Sequence, residues 1–549
     1  MGDIIPSVVD GLKESERILL FCAFKKYGLK KLEVEQLARD SYMFRPRAKY
    51  LLPKRMAATV RMAQDVAGAN NINLLLPISD FGSRYAPNLS SGSDLMIKLN
   101  PISRILFQED DDLVAMKIFK GCEGCGRLPT FLLPIIPLVL VNGTDSLVSG
   151  YRSYVPKYRP YDIIANLRRL LKKEDMDPMV PWFEGFKGSI EACQDDNTKF
   201  IVSGVINVID YDSKTVEVTE LPIGILAKDY IKLLEDGSIP HQSFVDFSDY
   251  NNQSLCLRVS LLDEDCKMDA KHLLEKLKLT TVIDLNDMYL IDVSGTIQKY
   301  DSPLEVIRQF YDFRIQFFQD RRELLMDDIS RQLKELDKEI DESCLTAKQC
   351  LNVIKSMKGR LPLDLNALFD VFIDQDIGKI KEATISVEYI DEAEGILATL
   401  LNQIVPVKAL LLGNDEAEQP IIKVYAQPKA RDPFFWLETA ENQIERLLIV
   451  LQALKKVRVN RSAFLQKFND LKQANASSLW LDDLQQLEEY LTEQDHLSLA
   501  SDRRTQAASH LTGEGKKRKR PLLECDLSRG RYETRVSHFC PDAHKGNSV

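Results

Sequence analysis

Six basic side chains between residues 41 and 61 form the clearest chemistry-bearing pattern in this sequence. No aspartate or glutamate interrupts them, and Tyr42, Phe44 and Tyr50 are interspersed. Lysine and arginine at this density can neutralise the phosphates of a nucleic acid. A solvated surface has the same composition, so the pattern alone leaves both interpretations open. The basic residues are Arg45, Arg47, Lys49, Lys54, Arg55 and Arg61.

Cysteine and histidine residues do not predict a metal site. The ten cysteines are scattered, and the close pair Cys122 and Cys125 is a lone CxxC motif. A structural zinc ion needs a second pair of ligands, but His241 and His272 lie far downstream. We therefore expect reduced thiols and no bound metal, with zinc as the less favoured alternative.

Length and composition indicate a soluble protein with several packed units. The 549 residues carry 72 Lys and Arg against 82 Asp and Glu, a net charge of -10. That charge excludes a histone-like coat protein but not a local basic surface. No signal peptide is evident at the N-terminus, and the apolar run 131–141 is too short to span a bilayer. We expect an intracellular protein without a membrane segment.

The elements that must position the basic run follow from periodicity. Residues 1–120 indicate short helices, and residues 130–300 are rich in strands. Segments 200–209 and 215–219 predict two strands joined by a hairpin turn, and residues 167–172 predict a helix.

Two long helical stretches follow, and both show the spacing of a coiled coil. They suggest an antiparallel pair with a small globular region between residues 345 and 430, and two unrelated bundle helices are the alternative. The first seam consists of Leu304, Ile307, Tyr311, Ile315, Phe318, Leu325, Ile329, Leu333, Leu336 and Ile340. The second, within residues 436–471, consists of Ile444, Leu448, Leu451, Leu454, Leu465 and Phe468.

Apolar periodicity ends near residue 495, which predicts a disordered tail. A compact basic cluster in this tail is typical of a nuclear localisation signal, although it could also bind polyanions non-specifically. The cluster consists of Lys516, Lys517, Arg518, Lys519 and Arg520.

Five segments in one order resemble the eukaryotic-type type II DNA topoisomerases. IPSVVDGLK (5–13) is similar to the beginning of that family's DNA-cleavage core. NNINLLLP (70–77) with FGSR resembles the segment before its catalytic tyrosine, and LPIIP (133–137) with VLVNG the run before its DNA-bending loop. FKGSI (186–190) with ELP resembles its next β-rich part, and SLWLDD (478–483) the end of its coiled-coil arm.

The resemblance implies an α+β multidomain fold that agrees with the periodicity. A winged-helix DNA-gate domain would span residues 1–125 and a β-rich tower 126–300. Residues 301–344 and 431–494 would form the coiled-coil arm, and 345–430 a helical dimerisation gate at its end. Residues 495–549 would be the disordered basic tail.

The resemblance also gives the basic run a use, because the family holds a bent duplex in a basic groove. Lys13 and Arg17 would join the six basic residues in contacting phosphate. Leu147 occupies the position of an apolar side chain that wedges between base pairs and kinks the DNA. A leucine packed on the tower is the alternative.

The family's catalytic groups are missing. Its tyrosine lies five residues before the leucine that corresponds to Leu99, and this sequence has Asp94 there, with Ser93 where the family has arginine. A carboxylate would repel the phosphate instead of attacking it. Tyr85, which follows an arginine, is the alternative nucleophile, but it lies fourteen positions before Leu99.

Further departures favour binding over catalysis. YLLP (50–53) lacks the two histidines of the family's Tyr-His-His-Gly stretch, and we expect neither the ATP-binding nor the Mg²⁺-binding module. The leading hypothesis is a catalytically inactive relative that binds double-stranded DNA in the nucleus as a homodimer. It would act with chromosomal proteins in chromosome organisation and sister-chromatid segregation. The alternatives are an active or split-subunit topoisomerase, and a module without DNA binding that forms mixed dimers with a full-length topoisomerase II.

Overall fold

The computed structural model has an α+β fold. It describes residues 4–44, 52–82, 95–118, 130–148, 151–196, 198–210, 215–248, 255–262, 270–357, 387–412 and 433–513. The chain divides into two compact units, Met1–Glu489 and Tyr490–Val549. The predicted α+β class is confirmed.

The first part of the chain packs short helices on a three-stranded antiparallel sheet of order β1-β3-β2. A π-helical turn at Ala23–Tyr27 extends the first helix, and a 3-10 turn at Ser41–Phe44 follows the second. The helices are α1 (Glu14–Cys22), α2 (Val34–Asp40), α3 (Leu52–Ala63), α4 (Ile102–Leu106) and α5 (Glu109–Ile118). The strands are β1 (Leu32–Glu33), β2 (Leu75–Pro77) and β3 (Met96–Leu99).

Residues 130–142 belong to the same core. Gly11 approaches helix α6 (Leu138–Asn142) so closely that an added Cβ would lie 2.4 Å from the Val139 nitrogen. The amide of Leu132 donates to Asp10 Oδ2 at 3.2 Å. The boundary that we predicted at residues 125 and 126 therefore does not separate two bodies.

The β-rich region contains four of the five sheets in the described part of the chain. They have the orders β4-β5, β12-β7-β6, β10-β11-β9-β8 and β13-β14. The strands are β4 (Thr144–Val148), β5 (Tyr151–Val155), β6 (Ser189–Ala192), β7 (Lys199–Ser203), β8 (Val205–Asp210), β9 (Thr215–Glu220), β10 (Ser243–Asp246), β11 (Leu257–Ser260), β12 (Thr280–Asp284), β13 (Tyr289–Ile291) and β14 (Ile297–Lys299). The helices are α7 (Pro160–Leu171), α8 (Ala227–Glu235) and α9 (Ala270–Lys276).

The single strand predicted over residues 200–209 is wrong, because Gly204 divides it between two sheets. β7 pairs with β6 and β12, whereas β8 pairs with β9. A Cβ on Gly204 would lie 2.3 Å from the Glu220 carbonyl oxygen. Only glycine fits where the chain passes from one sheet to the other. The predicted β8–β9 hairpin and the helix around residues 167–172 are confirmed.

Three long helices share one hydrophobic core, and two of them run antiparallel, as their periodicity predicts. They are α10 (Pro303–Ser356), α11 (Val387–Leu412) and α12 (Pro433–Gln473). Arg322 Nε donates to the Leu471 carbonyl at 2.9 Å, and Arg461 Nε donates to Asp337 at 2.6 Å. Because the earlier residue of α10 contacts the later residue of α12, the two helices are antiparallel. The shared core includes Ile340, Leu351, Leu397, Ile444 and Leu454. The predicted gate region 345–430 lies partly outside the described residues, and α11, which lies within it, packs in this core.

The predicted seams are only partly buried. Ile307, Phe318, Ile329 and Ile340 are buried, whereas Leu465 is 40% exposed. The first half of α10 instead buries a face that carries arginine. This half packs on α5, on α7 and on Trp480 of the last helix, and the coiled-coil spacing of two long paired helices does not describe these contacts.

The last helix is α13 (Ala476–Gly513), which continues into the second unit. Residues 495–513, which belong to the tail that we predicted to be disordered, lie in this helix. Loss of apolar periodicity removes packing partners, but alanine, arginine and glutamine still favour helix. The cluster Lys516 to Arg520 lies outside the described residues. Among the helices that the structure describes, none is long and apolar enough to cross a membrane.

Candidate nucleic-acid interface

A groove lies between the start of α1, the end of α3 and the β4–β5 hairpin. Three cationic side chains line it, Lys13, Arg61 and Lys157, and two carboxylates, Glu16 and Asp145. The groove therefore has more cationic than anionic side chains, and the two carboxylates help to orient the cations. That balance suits an anionic ligand.

Lys13 stands at the N-terminus of α1. Its backbone amide donates to Glu16 Oε2 at 3.0 Å, which caps the helix and fixes the direction of the chain. Burial lowers the pKa of the Lys13 amine, while Glu16 opposes that shift. An anion in the groove would stabilise the protonated amine and offset the solvation that the amine loses on burial.

Arg61 lies in the last turn of α3, and its side chain is 52% exposed. Its guanidinium lies 3.6 Å from Glu16. Asn70 Nδ2 donates to the Arg61 carbonyl at 2.7 Å and so supplies a hydrogen bond to a carbonyl in the last turn of the helix, which has no partner within the helix. Arg61 can thus reach phosphate without unfolding the turn that carries it.

Two asparagines attach the hairpin to the first part of the chain. Asn142 Oδ1 accepts from the amides of Asn71 and Ile72 at 3.0 and 2.9 Å, and its Nδ2 donates to the Ile72 carbonyl. Asn71 Nδ2 donates to the carbonyls of Tyr158 and Trp182, both at 3.1 Å. These bonds fix the base of the hairpin against the groove.

The hairpin has a packed face and an open face. Ser153 and Val155 are buried, and Ser153 Oγ donates to the Tyr289 carbonyl. Since side chains alternate along a strand, the other face carries Leu147, which is 80% exposed. The predicted wedge therefore protrudes from the hairpin and does not pack on the β-rich region.

Lys157 is a groove cation that our sequence reasoning missed. Its Nζ donates to the Gly68 carbonyl at 2.9 Å and lies 5.4 Å from the centre of the Phe183 ring. Burial lowers its pKa to about 8. A single lysine between Pro156 and Tyr158 carries no charge-run signal, so only its neighbours in the fold identify it.

Two predicted DNA contacts, Arg17 and Arg55, are turned into the protein. Arg17 Nη2 donates to Asp10 Oδ1 at 3.0 Å, and the Asp10 carboxylate is completely buried. Arg55 is 2% exposed and donates to Ser41 Oγ at 2.7 Å. The geometry corrects both assignments. In α3, Arg55 shares its face with Thr59 and Met62, which are also buried.

The other predicted residues lie beyond what the structure describes, apart from Lys54, which is half-buried on α3. They are Arg45, Arg47, Lys49, Tyr85, Ser93, Asp94, Cys122 and Cys125. In the described ranges, no group of three or more His, Cys, Asp or Glu residues could hold a metal ion.

Comparisons with known proteins agree on one family. The family model for the A subunit of DNA gyrase/topoisomerase IV matches residues 4–485. The chain is 31% identical over 504 residues to a protein named DNA topoisomerase 2 from Arabidopsis thaliana, which covers 89% of this chain. It is also 32% identical over 345 residues, 60% of this chain, to the DNA topoisomerase-like protein cin-4 of Caenorhabditis elegans.

The fold has a solved counterpart. The Plasmodium falciparum topoisomerase II DNA-binding, cleavage and re-ligation domain superposes with a TM-score of 0.64 and 22% identity, covering 91% of this chain and 63% of that one. The chain spans 32% of the Arabidopsis relative and 40% of cin-4.

Proposed function

This chain belongs to the type II DNA topoisomerase family, and on that premise we propose that it binds double-stranded DNA in the groove between α1, α3 and the β4–β5 hairpin. Lys13, Arg61 and Lys157 would neutralise phosphates there. The observation that carries the proposal is Leu147, a large apolar side chain that is 80% exposed at a hairpin beside a cationic groove. Inserted between base pairs, it would kink the duplex.

We further propose that the chain does not cleave DNA. Asp94 and Ser93 stand where the family's tyrosine and arginine are expected, five and six positions before Leu99. β3 fixes the position of Leu99, because Leu99 is paired with Leu75. An aspartate can form no stable ester of the phosphotyrosine kind.

The finer architecture and setting are part of the same proposal. The helices α1 to α3 with the first sheet would be the winged-helix DNA gate, and the sheets after residue 143 the tower. The arm would carry a dimerisation gate in residues 345–430. The protein would work as a dimer in the nucleus, in chromosome organisation and segregation.

A trapping assay tests the loss of cleavage. The protein is incubated with supercoiled plasmid and Mg²⁺, with and without ATP, and then denatured with detergent. We expect no covalent protein–DNA adduct. An adduct that disappears in the Tyr85→Phe variant would show instead that the chain is an enzyme with a displaced nucleophile.

Charge reversal tests DNA binding independently of cleavage. Lys13→Glu with Arg61→Glu should weaken duplex binding and reduce the slope of log affinity against log salt by about 1 to 2, because each phosphate contact contributes about 0.9. Arg331→Glu with Lys334→Glu is the matched control, since both residues are exposed on α10 and the net charge changes by the same amount. Equal binding by the groove variant and the control would refute the groove assignment.

A further inference from the structure

The open face of the β4–β5 hairpin holds a second exposed side chain beside Leu147. Leu147 and Arg152 are directly paired across the two strands, so both side chains project from the same face. Leu147 is 80% exposed, and the Arg152 side chain is 54% exposed. An apolar group and a guanidinium thus lie together on the open face of the hairpin.

Two neighbours on the same face orient Arg152. Its Nη2 donates to Asp145 Oδ2 at 3.2 Å, and its guanidinium carbon lies 5.1 Å from the centre of the Tyr154 ring. Asp145 is 60% exposed, and exposed ion pairs contribute little free energy. Arg152 can therefore exchange this carboxylate for a nucleic-acid acceptor while its guanidinium stays beside the Tyr154 ring.

The pairing of an apolar wedge with an arginine is the combination that minor-groove proteins use to kink and read a duplex. A·T tracts narrow the minor groove and strengthen its negative potential, which attracts arginine, and pyrimidine–purine steps unstack most easily. We propose that Leu147 and Arg152 together select duplexes in which a pyrimidine–purine step adjoins a short A·T tract. This preference rests on the proposed DNA binding.

Competition binding with three matched duplexes tests the preference. Each contains a central TA step, flanked by A·T, G·C or inosine·C pairs. Inosine lacks the minor-groove amino group of guanine but keeps its major-groove acceptors. We expect the A·T and inosine·C duplexes to bind about tenfold more tightly than the G·C duplex. If the inosine·C duplex binds like the G·C duplex, minor-groove reading is refuted.

Variants assign the preference to the residue pair. Arg152→Ser should bring the affinity ratio of A·T to G·C duplexes close to one, whereas Arg331→Ser, which also removes an exposed arginine paired with an aspartate, should leave it unchanged. Asp145→Asn should tighten binding to the A·T duplex by about threefold, because it releases Arg152. A fourth duplex, with AA in place of the central TA step of the A·T duplex, tests the wedge, and Leu147→Ala should abolish the advantage of the TA duplex over it.

The outcomes separate this inference from the proposed function. If the unaltered protein binds no duplex, the proposed function fails. If it binds all three duplexes equally in a salt-dependent manner, DNA binding stands and the reading by Leu147 and Arg152 is overturned. An unchanged ratio in Arg152→Ser overturns the role of that arginine.

Discussion

Lys157 shows how burial can prepare a side chain for an anionic ligand. Its amine has one carbonyl partner, Gly68, and an aromatic neighbour, Phe183. Burial lowers its pKa to about 8, so holding the charge in the folded protein costs free energy that an exposed lysine does not lose. A phosphate in the groove would supply the missing counter-charge.

Lys157→Met should stabilise the folded protein while weakening DNA binding. Since the folded pKa lies below the ordinary value of 10.5, the unfolded chain binds more protons between about pH 8 and 10.5, and the stability of the unaltered protein rises with pH across that window. At pH 7 we expect the variant to gain roughly 1 to 3 kcal/mol in free energy of unfolding. Urea unfolding from pH 7 to 10 measures it.

The gain in free energy of unfolding from Lys157→Met should shrink as the pH rises above 8. Above that pH the buried Lys157 amine is increasingly neutral in the folded protein, so its burial costs less free energy. Lys338→Met is the control, because Lys338 is exposed on α10, and it should change stability little at any pH. A gain in Lys157→Met that is the same at pH 7 and pH 10 would contradict the burial argument.

At the scale of elements, the direction of the β4–β5 hairpin depends on the backbone conformation of Gly143, the residue that connects α6 to β4. Gly143 has φ of +63°, and an added Cβ would lie 2.6 Å from the Val155 carbonyl oxygen. Only glycine combines this left-handed conformation with so close an approach between the two strands. The position of Leu147 therefore depends on a residue without a side chain.

Gly143→Ala should lower the free energy of unfolding by about 2 kcal/mol more than Gly237→Ala. Both glycines have positive φ, but a Cβ on Gly237 would meet nothing within 4 Å. The comparison therefore separates backbone conformation from steric contact. Urea unfolding of the two variants measures the difference, and equal losses would mean that the Val155 contact can relax.

At the scale of the whole unit Met1–Glu489, buried ion pairs join α10 to α5 and to α13. Arg314 on α10 is fully buried and binds Asp111 on α5, and its Nε donates to the Pro134 carbonyl at 2.9 Å. Arg321 donates to Asp483 at 2.6 Å. Trp480, also buried, donates its Nε1 proton to the Ile135 carbonyl at 2.9 Å. α10 and α13 are thus fixed to the same core.

Arg314→Met should lower the free energy of unfolding by about 3 to 5 kcal/mol, because it leaves the Asp111 carboxylate buried without its main partner. Adding Asp111→Leu should restore a large part of this loss, since the charge is then removed as well. Thermal and urea unfolding measure the cycle. Arg331→Met, which breaks an exposed pair on the same helix, should change stability by less than about 0.5 kcal/mol. If the loss in the double variant equals the sum of the losses in Arg314→Met and Asp111→Leu, the two residues are not energetically coupled.

The sequence by itself determined the features that depend on local pattern. The spacing of apolar residues was sufficient for α10 and α12, and the alternation around residues 205–220 was sufficient for the β8–β9 hairpin, because both follow from the geometry of a single element. Five short segments were sufficient for the family.

Only the tertiary structure decided which cations face the groove. Arg17, Arg55 and Arg61 are indistinguishable as sequence, but Asp10 and Ser41 turn the first two inward. Lys157 joins the groove through Gly68, 89 positions away, and Gly204 divides a continuous strand pattern because Glu220 passes beside it. Exposure is a property of neighbours that are distant in the chain, and no local pattern contains it.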